Sequence, residues 1–223
     1  MKKNALVIGA SGATGLELVT LLNDSEYYDR VFVAHRRKTG LNKLDKVEEI
    51  VLDFDMLPDA LSTGVEIHDV FCALGTTIKK AKSKQAFRKV DYDYVVAMAR
   101  WSRDNKVRSF TVISSLGANV SSPFLYPKTK GQMEKAVTEA GIPQVNIMRP
   151  SILEAPVRPE KRLGEAFALH LIKFFTAIAS WLTGEFRHTH VQTLAAAMFS
   201  AAQRQDEGTK VYTTLQIHQL ASL

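Results

Sequence analysis

The stretch Leu6-Val7-Ile8-Gly9-Ala10-Ser11-Gly12-Ala13-Thr14-Gly15 constrains this chain more than any other part of it. Three apolar residues run straight into a glycine-rich turn. Gly12 to Leu22 then reads as a helix, with Leu16, Val19 and Leu22 on one side. A strand feeding a helix through such a turn opens a βαβ unit, and each glycine has its own duty there. Gly9 permits the tight turn, Gly12 lets backbone N–H groups approach a pyrophosphate, and Gly15 lets the helix pack closely on the strand. The helix N-terminus adds partial positive charge toward the phosphates.

The rest of the chain continues the alternation. Val31–Ala34, Ile50–Leu52, Val70–Leu74 (closed by Gly75), Phe110–Ser114 and Gln144–Met148 read as strands. Between them come a short helix around Pro58–Leu61, a long one from about Gln85 to Asn105, and another from about Pro127 to Glu139. Gly141 stands as the C′ glycine of the last. Strands rich in Val and Ile, separated by helices, specify a parallel sheet covered on both faces. Right-handed crossovers make it a doubly wound α/β Rossmann fold. With 223 residues and no repeat or linker, one domain is expected, residues from about 151 to 190 forming a smaller, variable substrate-side region.

Composition excludes several other classes. An apolar share of 46% rules out disorder, and the single Cys72 rules out a disulfide framework. The histidines are scattered, and His188 with His190 lack a third ligand, so no metal site is expected. The opening Met1 to Gly12 has too short an apolar run for a signal peptide, which makes it the first strand of a cytoplasmic protein. The net charge of +6 is concentrated in His35-Arg36-Arg37-Lys38 and in Lys79 to Lys84. Local clusters suit a phosphate-bearing ligand or a solvated surface, not a nucleic-acid footprint. Between Gly164 and Thr183, His170 and Lys173 interrupt an apolar run that would otherwise suit a membrane span. Phe167, Leu171, Phe174, Ile178 and Leu182 fall opposite them, as on an amphipathic helix. It packs on its own domain, covers an apolar substrate or touches a membrane surface.

Further positions carry chemistry. A protein preferring NAD places Asp or Glu after the second strand to bind the ribose hydroxyls; here the chain has Arg36 and Arg37. A guanidinium grips a 2′-phosphate that a carboxylate would repel, so the expected cofactor is NADP(H). Asp53, after the third strand, either lines the adenine or sits in a surface turn. Tyr126 and Lys130 stand four apart at the start of a helix, which puts both on one face. An ammonium beside a phenol stabilises the phenolate, as suits a general acid–base for carbonyl and alcohol chemistry. Pro127 fits the first helical turn. Ser114 and Ser115 end the fifth strand, where a hydroxyl is placed to hold a substrate oxygen. Adjacent strand residues face opposite ways, so one of the two enters the site.

Gly-x-x-Gly-x-x-Gly on the first turn, serine after the fifth strand and Tyr-x-x-x-Lys together resemble the short-chain dehydrogenase/reductase superfamily in its atypical branch. More narrowly, Cys72 to Thr77, Phe87 through Asp91 to Val95, Ser114 to Ala118 and Leu125 to Gly131 resemble the Tat-interacting-protein-like oxidoreductases and their bacterial and NmrA-like relatives. The resemblance runs from about Leu6 to Ser151. It implies that Ser11, Gly12, Ala13 and Thr14 contact the cofactor phosphates and that Arg36 and Arg37 meet the 2′-phosphate. It further implies that Leu74, Gly75 and Thr76 border the cofactor's adenosine ribose and middle, that Tyr126 donates or accepts the proton, and that Lys130 binds the nicotinamide ribose. Arg149-Pro150-Ser151 then passes near the nicotinamide carboxamide, and Arg162 is a further phosphate contact.

The expected function is an NADP(H)-dependent oxidoreductase that passes hydride to or from a carbonyl or alcohol substrate. The alternative is an NADPH-binding regulator with a protein partner, for which Lys79 to Lys89 would be the surface. No membrane span is expected, and the chain is a monomer or a homodimer. NAD-linked sugar-nucleotide epimerisation is disfavoured by Arg36-Arg37 and by the short chain.

Overall fold

The computed structural model describes residues 2–154 and 188–222. Its strands are β1 (Lys3–Ile8), β2 (Tyr28–His35), β3 (Val47–Val51), β4 (Asp69–Cys72), β5 (Ser109–Ile113), β6 (Gln144–Met148), β7 (Leu153–Glu154), β8 (Thr189–His190) and β9 (Gly208–Tyr212). Seven of them form one sheet in the order β3-β2-β1-β4-β5-β6-β9, every neighbouring pair parallel, while β7 and β8 make a separate two-stranded pair. The chain builds outward from β1 to β3, then crosses back to start again at β4. Such a reversal leaves a crevice at the carboxyl ends of β1 and β4, where open α/β sheets take their ligands.

The helices are α1 (Ala13–Asp24), α2 (Ile78–Ala81), α3 (Lys84–Arg88), α4 (Tyr94–Asp104), α5 (Leu125–Thr138), α6 (Val191–Gln203) and α7 (Thr214–Leu220). The period-two alternation of the strands sorts them into two layers. Ala5 and Val7 of β1 share one core with Leu18, Val19 and Leu22 of α1, Leu194 and Met198 of α6, and Ile217 of α7. Leu6 and Ile8 share the other with Val95, Met98 and Trp101 of α4 and Met133 and Val137 of α5. Both faces are covered, as a parallel sheet requires.

Several boundaries differ from the sequence expectation. Residues Pro58–Ala60 form turns, and Leu61 follows as irregular chain, rather than a helix. The preceding Phe54–Met56 make a single 3₁₀ turn, and Leu57 is extended (φ −73°, ψ 141°) because a residue before proline is pushed out of the helical region. The long helix begins at Lys84 and is interrupted over Lys89–Asp93 by a π-helical turn. Helix α5 starts at Leu125, so Pro127 is still in the first turn, and Gly141 (φ +81°) lies two residues past the C-cap residue Glu139. The seventh strand, β9, and helices α6 and α7 lie beyond the last expected strand. The expected amphipathic helix 164–183 and Arg162 lie outside the described residues.

A polar cluster closes the opposite, amino-terminal end of the strands. Asp69, fully buried at the start of β4, accepts from Tyr28 Oη on β2 (2.9 Å) and from Arg108, and Gln203 at the end of α6 donates to Tyr28 Oη (2.8 Å). Arg108 reaches on to the carbonyl of Ala202 (2.5 Å) and to Gln144 on β6 (2.8 Å). The strands are thereby fastened at the end remote from the crevice.

Candidate functional site

At the end of β1 the chain turns at Gly9, whose φ of +88° is left-handed. A Cβ there would lie 2.6 Å from the backbone of Ala73, so the turn rests directly on the loop that leaves β4. A Cβ on Gly15 would come 2.2 Å from the Gly9 carbonyl oxygen, which makes glycine obligatory where α1 meets the turn. Helix α1 then opens at Gly12 with no side-chain cap and no carboxylate in its first turn. Gly12 N donates to Gly9 O (3.0 Å), and Leu16 N to Gly12 O (2.9 Å), so the N–H groups of Ala13, Thr14 and Gly15 are first-turn donors left for an anion. Ser11, Gly12 and Ala13 are exposed at the rim. The cradle therefore fits a pyrophosphate.

The loop after β4 faces that cradle. Leu74 is half-buried and Gly75 exposed, and Thr76 N donates to Asp91 Oδ2 (2.8 Å). Asp91 is 1% exposed and lies in the π-helical turn, the kind of local insertion that re-aims side chains within a helix. Its Oδ1 lies 2.8 Å from Lys130 Nζ, and Lys130 is itself 2% exposed. This is an ion pair rather than an aligned hydrogen bond, since Oδ1 makes none. Lys130 Nζ also donates to the carbonyl of Ile113 at the end of β5 (3.3 Å).

Tyr126 stands one turn before Lys130 and leans on the fully buried Phe87 ring, centroids 5.6 Å apart. Burial pushes the Tyr126 phenol above its usual range; Lys130 pulls it down, Asp91 pushes it up, and the Ser115 hydroxyl pulls it down. The net direction is up, which differs from the simple expectation of an ammonium-activated phenol, because burial outweighs the lysine's charge and Asp91 offsets part of that charge. For Lys130, burial pulls the ammonium down, but Asp91 and Tyr126 outweigh it and hold the group above its usual value.

The two serines are separated by the pleat. Ser114 Oγ donates to Glu134 Oε1 (2.5 Å) and is committed there. Ser115 Oγ faces the Tyr126 phenol, is buried, and lacks a partner in formed hydrogen-bond geometry. A buried hydroxyl with only the phenol beside it is a place where an added oxygen is welcome. Glu134 also takes both arms of Arg149, at 2.9 and 2.6 Å, so that residue's guanidinium is bound to α5. Pro150 is buried and its carbonyl accepts from Leu116 N (2.9 Å), and Ser151 follows at the edge of the described residues.

Arg36 and Arg37 are exposed beyond β2, and the Arg36 guanidinium lies 6.0 Å from the centroid of the Phe54 ring. Asp53 is exposed and accepts from Asp55 N (3.0 Å), so it caps the 3₁₀ turn and its carboxylate is engaged there. Cys72 is buried, and burial pushes its thiol up to about 12, which makes it inert packing. Among the described residues no His, Cys, Asp and Glu cluster is arranged for a metal ion, and no helix is long and apolar enough to cross a membrane.

Asp91, Glu134 and Glu49 escaped the motif reading. Asp91 had a signal, because it stands on the stripe of Phe87, Val95 and Met98, where an ionisable group is out of place. Glu134 had one as well, since Tyr126, Lys130 and Glu134 recur every four residues on one face of α5.

A doubly wound parallel sheet with a glycine cradle at its switch point and a Tyr/Lys/Ser cluster beside it defines a nicotinamide-nucleotide-binding protein of the short-chain dehydrogenase/reductase type. Residues 9–166 match the NAD(P)H-binding family, and the chain belongs to that family, in its atypical, NmrA-like branch. It is 36% identical over 186 residues to protein HTATIP2 of Rattus norvegicus, covering 82% of this chain and 74% of that one. It is also 34% identical over 169 residues to the mitochondrial protein FMP52 of Meyerozyma guilliermondii, covering 74% and 68%. Among solved structures it resembles MoeE5 in complex with UDP-glucuronic acid and NAD (TM-score 0.70, 22% identity, 94% of this chain and 75% of that one). It resembles the UDP-glucose 4-epimerase of Thermotoga maritima as well (TM-score 0.67, 17% identity, 98% and 81%). At those identities the likeness is one of fold.

Proposed function

We propose that the protein is an NADP(H)-dependent oxidoreductase acting on a carbonyl or alcohol substrate. The observation that carries this reading is the group of Tyr126, Ser115 and Lys130 at the carboxyl end of β5, beside the glycine cradle and walled by Phe87. A bound nicotinamide would supply or take up hydride. The chain's own residues do the rest. Ser115 Oγ holds the substrate oxygen, and Tyr126 Oη gives it a proton on reduction or takes one on oxidation. Lys130, kept charged by Asp91, fixes the nicotinamide ribose. Ser11 to Gly15 receive the pyrophosphate, Leu74 to Thr76 border the adenosine ribose and middle of the cofactor, and Pro150 and Ser151 pass the carboxamide.

Arg36 and Arg37 take the 2′-phosphate, which is what favours NADP(H) over NAD(H) in this reading. The single buried Cys72 suits a reducing compartment, and the cytoplasm is the proposed location. In Tyr126→Phe, carbonyl reduction should fall by about 100- to 10,000-fold while NADPH binding stays within about twofold. Equal turnover in that variant would remove Tyr126 from the chemistry.

A second reading, an NADPH-responsive regulator, is favoured by Lys79, Lys80, Lys82 and Lys84. All four are exposed, and none forms an ion pair among the described residues. Under that reading Tyr126→Phe would leave both cofactor binding and partner affinity intact.

A further inference from the structure

The segment Arg36-Arg37-Lys38 places three cations side by side on an exposed loop, an arrangement that self-repulsion would splay if the ends were free. The ends are not free. His35, 4% exposed, is held in the sheet, its carbonyl accepting from Leu52 N (2.9 Å). Thr39, at the other end, is held by one oxygen of Glu49. That Oε1 accepts from Thr39 Oγ1 (2.6 Å), Thr39 N (3.1 Å) and Leu41 N (2.9 Å). The His35 ring closes the ring of contacts, with Nε2 3.4 Å from Thr39 Oγ1 and 3.7 Å from the same carboxylate oxygen.

Glu49 projects from β3 opposite Val33 of β2, and its side chain is 6% exposed. A carboxylate in an edge strand next to a basic loop would ordinarily reach out and neutralise the arginines. This one does not, because its donor-facing oxygen is used on the loop's backbone and hydroxyl. The Thr39 hydroxyl and the backbone donors outweigh burial and hold its carboxyl below the usual range, so it is ionised at neutral pH. Asp55, whose carboxylate feels the Arg36 charge, already accepts from Lys89 Nζ (2.6 Å) and Tyr94 Oη (2.5 Å). Three residues between two fixed points have little room to rearrange, so the cationic segment is preformed.

We propose that Glu49 is the positioning residue for recognition of a phosphate monoester on the ligand's adenosine ribose. It touches no ligand; it fixes the loop so that Arg36 and Arg37 are already presented to the phosphate, and less ordering entropy opposes binding. This inference rests on the NADP(H) reading above and deepens it. A structural glutamate and a positioning glutamate differ in what they do to the two nicotinamide cofactors. Loss of a structural residue weakens both equally, whereas loss of this one weakens only the cofactor that carries the extra phosphate.

The test is calorimetric titration of cofactor-stripped wild type, Glu49→Ala, Glu49→Gln and Thr39→Val with NADPH and with NADH. Glu49→Ala should lower NADPH affinity by about tenfold or more and change NADH affinity by less than about twofold. Glu49→Gln, which keeps an accepting oxygen, should retain most of the NADPH preference. Thr39→Val removes one of the three donors without touching the strand, and should give an intermediate loss that serves even if Glu49→Ala does not fold. An unchanged NADPH-to-NADH ratio in Glu49→Ala and Thr39→Val, with wild type preferring NADPH, would overturn the role of Glu49 and leave the cofactor reading standing. So would an equal weakening of both cofactors. A wild type without any preference for NADPH would overturn the cofactor reading, and the role of Glu49 with it.

Discussion

Burial of the Tyr126 phenol, with Asp91 set against Lys130, governs the pH behaviour expected of the site. Burial, reinforced by Asp91, holds the phenol protonated beyond its ordinary range. A step that needs the phenol as proton donor is therefore fully supported below that raised pKa and is lost only as pH climbs through it. Carbonyl reduction should accordingly stay flat from about pH 6 to about pH 9, while alcohol oxidation, which needs phenolate, should rise throughout that range. A reduction rate that already falls near neutrality would remove Tyr126 as the donor.

Asp91 has a cost of its own. Removing one partner of a buried pair strands the other charge, so Asp91→Asn should destabilise the chain by about 3 to 5 kcal/mol in urea unfolding. Adding Lys130→Met should recover much of that loss, because no uncompensated ammonium remains. Additivity of the two single changes to within about 0.5 kcal/mol would mean that the pair does not act as a unit. The glycines, the arginines and Tyr-x-x-x-Lys were legible as types at spacings. Ser115 was legible only as one of two, since the choice depends on which serine Glu134 takes.

At the scale of elements, the site is assembled where three of them are riveted together. Glu134 on α5 accepts from Ser114 at the end of β5 and from Arg149 past β6, so the helix that carries Tyr126 and Lys130 is locked to both strands. Glu134→Ala leaves a buried hydroxyl unpaired, at about 1 to 3 kcal/mol, and should lower Tm by about 3 to 10 °C. Glu134→Gln, which still accepts from Ser114, should lose less than half as much. Equal melting of both variants would mean that helix packing alone holds α5 in place. The π-helical turn belongs to the same scale. Periodicity indicated one long helix, because Phe87 and the later Val95, Met98 and Trp101 all keep helical spacing. It gave no sign of the inserted turn, where Asp91 meets Thr76 and Lys130, residues distant in sequence. Strand β9 escaped for a different reason: of its five residues only Tyr212 is buried, so an edge strand of this kind carries almost no apolar pattern.

For the whole molecule, the decisive fact is that the cradle, the cationic loop, Tyr126 and the loop that meets Asp91 come from different parts of the chain and are set at the carboxyl ends of the strands only when it folds. Their fixed end is the Asp69, Tyr28 and Arg108 cluster, at the amino ends of the strands, remote from the crevice. An unfolded chain has neither the Gly9 turn nor the first-turn donors of α1, so a nicotinamide cofactor binds the native state alone. Stabilisation then follows from mass action, about 2.7 kcal/mol at a hundred times Kd, which for a chain of this size raises Tm by about 5 to 10 °C. NADPH at a fixed concentration should produce that shift and NADH a clearly smaller one. In Arg36→Ala with Arg37→Ala the NADPH shift should collapse to the NADH value while the NADH shift is kept. The reason is that those two side chains lie on the β2 end of the crevice and the pyrophosphate cradle lies on β1 and α1. Thermal unfolding followed by circular dichroism with each cofactor reads this directly. Equal shifts from the two cofactors in wild type would remove the arginine seat and leave the cradle, whereas no shift from either would leave the fold without the ligand that its switch point is built to take.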